Sequence, residues 1–118
     1  MKKSEVNELV EIVEEAMQFC DLLPKSVELG NKEALHKILG YVDERIKECI
    51  ELLCDARDSL DDKYYGLSDS AQDGEKGHEL QDEISDIDSV ISSLQGCAAD
   101  PMRDKGFLKD AINVIRTL

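Results

Sequence analysis

The sequence predicts an all-α fold, an antiparallel bundle of about four helices with one long central helix. Three observations carry that prediction. Apolar residues recur at intervals of three and four through almost the whole chain, which is the period of a helix with one buried side. Alternating strand patterns are nearly absent, and glycines and prolines cluster between the periodic segments, where they end helices. With 42% apolar residues in 118, the chain has enough material for a core and reads as a single domain over residues 1–118.

The first helix is expected from about Ser4, a candidate N-cap, to about Leu23. It carries two neighbouring apolar stripes, Val6, Val10, Val13, Met17, Cys20 and Leu9, Ile12, Ala16, Phe19, Leu23. Two stripes require two neighbouring helices. Pro24 stops or kinks the chain, and residues 24–30 are compatible with one short turn ending at Gly30. Asn31 is a good N-cap for the second helix, which extends to about Tyr65 before Gly66, about 50 Å at 1.5 Å per residue. Its seam is Leu35, Leu39, Val42, Ile46, Cys49, Leu53, Ala56 and Leu60. Gly40 inside it costs roughly 1 kcal/mol relative to alanine and is a place for a kink or break.

Residues 66–77, with Gly66, Gly74 and Gly77 among serines and aspartates, read as a loop. The third helix follows to about Ala98 with the seam Leu80, Ile84, Ile87, Ile91, Leu94, and makes a hairpin with the second. Asp100 and Pro101 form an N-cap and first-turn pair for the last helix, whose buried set is Leu108, Ala111, Ile112, Ile115 and Leu118, with Phe107 beside them. The 3.5-residue seam spacing favours shallow crossing angles of about 20°.

Charge is the second strong signal. The chain has 14 Lys and Arg against 27 Asp and Glu, a net −13. Direct nucleic-acid binding needs a positive footprint, and so does an anionic membrane surface, so neither is expected. No run of 18 apolar residues is present, and the acidic stretch after Met1-Lys2-Lys3 does not read as a signal peptide, which points to the cytoplasm. A basic protein partner fits the sign.

The acids are also patterned. Glu44, Glu48, Glu51, Asp55, Asp58 and Asp62 step 4, 3, 4, 3, 4 along the second helix, within roughly 40° of one line and opposite its apolar seam. Glu75, Glu79, Asp82 and Asp86 repeat the pattern on the third helix. Acids near a helix start suit its dipole, but Asp55, Asp58, Asp61 and Asp62 occupy the last turns, where the dipole opposes each by ~0.3–1 kcal/mol. The like-charge pairs Glu44/Glu48, Glu51/Asp55 and Asp58/Asp62 cost a further ~0.2–0.5 kcal/mol each. A local rule broken without visible return marks a candidate functional surface. The alternative is a solvated face that keeps the protein soluble. Tyr65, beside this row, is a candidate anchor, because aromatic side chains dominate interface energetics while charges steer. The candidate partner-binding set is therefore Glu48, Glu51, Asp55, Asp58, Asp61, Asp62, Tyr65, Asp69, Glu79, Asp82 and Asp86.

Four cysteines, Cys20, Cys49, Cys54 and Cys97, lack metal-site spacing, and three lie on or near apolar stripes, so free structural thiols are expected. His36 and His78 have no triad or metal partner nearby in sequence. No catalytic residue, metal or cofactor is expected.

Two resemblances bear on function. Glu48 with Glu51, and Glu79 with Asp82 or Glu83 with Asp86, resemble the ExxE and ExxD motifs of the all-α nucleotide pyrophosphohydrolases of the MazG type. That resemblance implies carboxylates holding Mg²⁺ against a nucleoside triphosphate. The same spacing recurs at Glu5/Glu8, Glu8/Glu11, Glu11/Glu14, Asp55/Asp58 and Asp58/Asp61. The acidic helical character and the Tyr64–Tyr65 pair near acids look similar to the small nuclease-immunity proteins of the colicin type, which implies neutralisation of a basic nuclease toxin. The leading expectation is an immunity or inhibitor protein for a nuclease or other nucleic-acid-binding protein. The second is a structural bundle, a homodimer with Ile38, Ile50, Leu52 and Cys54 at the subunit interface. The pyrophosphohydrolase is the third.

Overall fold

The computed structural model describes residues 1–118, which form six helices and no strand. They are α1 (Lys3–Cys20), α2 (Leu23–Glu28), α3 (Lys32–Tyr65), α4 (Asp69–Gln72), α5 (Glu75–Ala99) and α6 (Lys105–Ile115). The four longest close a ring, with α1 on α3 and α6, and α5 on α3 and α6, while α2 lies on α3 and α4 on α5. Side-chain pairs fix the direction of each contact. Glu15 lies 3.6 Å from Arg45, and Phe19 packs on Tyr41 with ring centroids 5.2 Å apart, so α1 and α3 run oppositely. Arg57 donates to Asp88 at 2.8 Å, and Arg103, just beyond α5, holds Asp43, so α3 and α5 also run oppositely. The whole is a rod with extents of 61 × 24 × 18 Å.

One core of 19 buried residues joins α1, α3, α5 and α6. It takes Leu9, Ile12, Val13, Ala16 and Cys20 from α1, and Val42, Ile46, Cys49, Leu53 and Leu60 from α3. Ile87, Val90, Ile91, Leu94 and Cys97 come from α5, and Leu108, Ala111, Ile112 and Ile115 from α6. Leu53 is wholly buried, so its truncation to alanine costs on the order of 2–5 kcal/mol. The long helix is continuous through Gly40, and Asn31 caps it by accepting from the Ala34 amide at 3.0 Å.

Several boundaries differ from expectation. Ser4 lies inside α1, whose N-cap is Lys2 without a side-chain cap. The first helix stops at Cys20, and Pro24 occupies the first turn of a separate α2. There its missing amide would have had no helical partner in any case. The segment after Gly66 is not a plain loop. Ser68 caps α4, and α5 begins at Glu75, which places Gly77 inside it. A methyl group on Gly77 would come within 2.0 Å of the Gln72 carbonyl oxygen, so glycine is what lets α4 and α5 approach.

Asp100 does not start the last helix. Its side chain accepts from the Met102 amide at 2.9 Å, which makes a turn, and Asp104 caps α6 by accepting from the Gly106 amide at 2.8 Å. Arg103 between them has a left-handed φ of 50°. That conformation is held by its fork on Asp43, with Nε donating to Oδ1 at 3.0 Å and Nη2 to Oδ2 at 3.1 Å. Leu35 and Leu39 of the predicted seam are only half-buried, because α1 ends level with Tyr41 and leaves this stretch of α3 to the short α2. Leu118 is half-buried and Phe107 is exposed.

Candidate functional site

The carboxylate row forms because α3 has neighbours on only part of its circumference. Arg45 and Leu52 mark the side toward α1, Arg57 and Asp43 the side toward α5. Glu44, Glu48, Glu51, Asp55, Asp58 and Asp62 fall on the remaining arc, and all six are exposed. Of these only Glu48 has a cation, accepting from Arg45 Nη1 at 3.0 Å. The fold does pair cations elsewhere, as in Arg57 with Asp88, Arg103 with Asp43, Lys105 with Asp21, Arg116 with Glu14 and Lys37 with Glu33. Those partnerships raise the Arg57, Arg103 and Lys105 pKa values, in each case first through the hydrogen bond to the carboxylate. The pairs between helices tie α3, α5, α6 and the end of α1 together, and they leave five of the six carboxylates of the row without a cation.

At the far end of the row, Asp61 is half-buried and Tyr65 is 76% exposed. Tyr65 stands edge-on to half-buried Tyr64, with ring centroids 5.4 Å apart. The backbone there is fixed by Gln72, whose side-chain amide donates to the Tyr64 carbonyl at 3.1 Å and the Leu67 carbonyl at 3.4 Å. Asp69 is exposed in the first turn of α4, where the helix dipole accounts for it. Glu79, Asp82 and Asp86 are exposed on α5 and unpaired in the fold, whereas Glu83 accepts from the Met1 ammonium at 2.6 Å. Asp58, Asp61, Asp62 and Tyr65 thus share the last two turns of α3, and Glu79 and Asp82 lie near that same end of the rod, on α5.

The paired carboxylate motifs do not meet. The Arg57–Asp88 pair is a reference level for α3 against α5. Glu48 and Glu51 precede Arg57, and Glu79 and Asp82 precede Asp88, on helices running in opposite directions. At 1.5 Å per residue the two motifs lie about 18–27 Å apart along the rod; for Glu83 and Asp86 the closest separation is still about 12 Å. A shared Mg²⁺ needs oxygens near 2.0–2.1 Å from it. Nor do any three His, Cys, Asp or Glu side chains converge as a metal site would require.

Sequence reasoning missed a groove of about 710 Å³ between the start of α1 and the second half of α3. Leu9, Leu52, Ala56 and Leu60 line it with apolar surface, and Glu5, Glu8 and Asp55 stand on its banks with Lys2 and Lys63. Leu52 being off the seam was the available signal. Together with Ile50 and Cys54 it is half-buried against the core, so these three are partly used within the chain.

All four cysteines are free, and only Cys54 is not buried. Burial, reinforced by Glu48, pushes the Cys49 thiol up to about 12. The interaction of the Cys20 and Cys97 thiols lowers the Cys20 pKa and, with burial, raises that of Cys97. No helix is long and apolar enough to cross a membrane. Comparison with protein families, curated proteins and solved structures found no match.

Proposed function

We propose that this protein is an acidic helical inhibitor that neutralises a basic protein, most concretely as the immunity partner of a nuclease toxin or other nucleic-acid-binding protein in the cytoplasm. The fold is then an antiparallel four-helix bundle in one domain, with α3 and α5 as its central hairpin. The observation that carries this reading is the row on α3: six exposed carboxylates, one of them compensated, running into the end of the helix where they cost stability. Such a row offers oxygens at intervals of about 5–6 Å, which suits the cationic groove of a protein that binds phosphates. Asp55, Asp58, Asp61 and Asp62 would meet lysines and arginines, and Tyr65 would supply a desolvated anchor. Glu79, Asp82 and Asp86 would extend the field that steers approach. Catalysis by this chain, a metal and a cofactor form no part of the mechanism.

The test is titration of the protein against a panel of basic nucleases, with cleavage of labelled RNA or DNA as readout. Inhibition of at least one member is expected, weakening steeply from 50 to 300 mM NaCl as the ion pairs are screened. The quadruple substitution D55N/D58N/D61N/D62N should reduce inhibition tenfold or more while circular dichroism stays unchanged. Inhibition that survives the quadruple substitution, or no inhibition across the panel, overturns the assignment.

A further inference from the structure

The molecule has two unlike ends. Six of its seven exposed large apolar side chains lie on the α1–α2–α3 connection (Leu22, Val27, Leu29), the first part of α3 (Tyr41), the α5–α6 connection (Met102) or the first turn of α6 (Phe107). The Asp21–Lys105 and Asp43–Arg103 pairs bring these segments together at one end of the rod. Leu29 is 70% exposed, Met102 68% and Val27 55%. Leu35, Ile38 and Leu39 add a half-buried strip of α3 that does not reach the main core. The seventh side chain, Tyr65, lies 24 residues beyond Tyr41 along the unbroken α3, about 36 Å away.

Charge separates the ends in the same way. Residues 19–43 and 100–107 together hold five cations and six anions, whereas the remainder holds nine cations and 21 anions. The apolar end is therefore nearly neutral, and its exposed charges are of both signs. Lys25, Glu28 and Lys32 have no ion-pair partner within the chain.

We infer that this end is a two-fold interface between two copies of the chain. Side-by-side association would oppose two bodies that each carry the bulk of a −13 charge. End-to-end contact is the approach that keeps those bodies apart while burying the apolar side chains. A basic protein is drawn to the acidic body instead, and an anionic membrane is repelled by it. The end suits a copy of itself because an isologous contact sets each residue against the partner's reciprocal one. Lys25 or Lys32 of one copy then pairs with Glu28 of the other, twice over. In the dimer both carboxylate rows point away from the junction and stay free.

Sedimentation velocity between 5 and 500 µM tests this, together with light scattering. The mass should rise from 13.2 kDa to twice that value with concentration. Association should change by less than threefold between 20 and 500 mM NaCl, because the junction is mainly apolar and nearly neutral, and salt screens its few ion pairs and the residual repulsion between the acidic bodies alike. The nuclease complex should instead weaken steeply over that range, so either can fail alone. The double variant V27K/L29K makes the chain less acidic overall and changes only exposed positions, yet should weaken dimerisation tenfold or more. Y65A, at the other end, should not. A monomer at all concentrations and salts overturns the inference, as does a dimer indifferent to V27K/L29K or an open polymer. A monomer that cosediments with zwitterionic phosphatidylcholine vesicles assigns the end to a lipid surface and overturns it too.

Discussion

Neutralising the end of the carboxylate row should stabilise the protein, and the size of the gain follows from geometry. In D58N/D61N/D62N three carboxylates become amides of nearly equal helix propensity, so the change is mainly electrostatic. Asp62 lies in the last turn of α3 and Asp61 just before it, and relief from the helix dipole is worth ~0.3–1 kcal/mol for each. Removing the Asp58/Asp62 repulsion adds ~0.2–0.5 kcal/mol. None of the three has an ion-pair partner whose loss would offset the gain. The sum is about 0.8–2.5 kcal/mol at low ionic strength. An unfolding entropy of ~2.1 cal/mol/K per residue gives roughly 0.25 kcal/mol/K for a chain of this length, and hence a rise in Tm of about 3–10 °C. Thermal melts followed by circular dichroism at 20 mM NaCl measure it, and at 500 mM the gain should fall by half or more. A lower Tm would show that these carboxylates make favourable contacts in the folded state, and a gain indifferent to salt would show that charge is not its source. Either result removes the reason for regarding the row as a cost retained for binding.

Four further outcomes follow from the packing. Gly40→Ala should raise stability by about 0.5–1 kcal/mol, since a methyl group there meets nothing within 4 Å. Gly77→Ala should lower it by about 1–3 kcal/mol, since the same methyl group is driven into the Gln72 backbone; urea unfolding of both variants checks the opposite signs. In the native protein only Cys54 should react quickly with Ellman's reagent, giving one equivalent, against four after denaturation, because the other three thiols are buried. Finally, Cys49 is held neutral up to about 12 in the fold but ionises near 9 when unfolded. The unfolded chain therefore binds fewer protons over that interval, and this thiol's contribution, fully present below pH 9, falls by about 1.4 kcal/mol per pH unit above it. Cys49→Ala should flatten the loss of stability between pH 9 and 11, and an unchanged slope in urea melts would contradict that assignment.

How far the site was legible depends on which forces set it. The row from Glu44 to Asp62 was readable because a helix of fixed pitch maps spacing onto direction, and α3 is unbroken. Its exposure followed from the seam opposite. The lack of compensation did not follow, because Lys47 and Lys63 flank the row in sequence while the ion pairs that form depend on which helices touch. The groove beside Leu52, and the meeting of Met102 with the Leu22–Tyr41 segment, arise from residues far apart in the chain. Short elements were also hidden. A four-residue α4 rests on one serine cap and a glycine that permits close approach, and Asp100 and Asp104 offer the same cap chemistry four residues apart. Arg103 reaching Asp43 chose between them.

By itself, then, the sequence determined the helical class, the span of α3, most of its buried seam, and an acidic arc on the opposite side, all through local periodicity and composition. The tertiary structure alone decided that α1 ends level with Tyr41, that Leu35 and Leu39 lie outside the main core, that two carboxylate motifs stand apart, and that one end of the rod is apolar and almost neutral. The physical reason is that backbone pitch is set within a few residues, whereas helix register and ion-pair choice depend on contacts between segments whose distance in space no local pattern encodes.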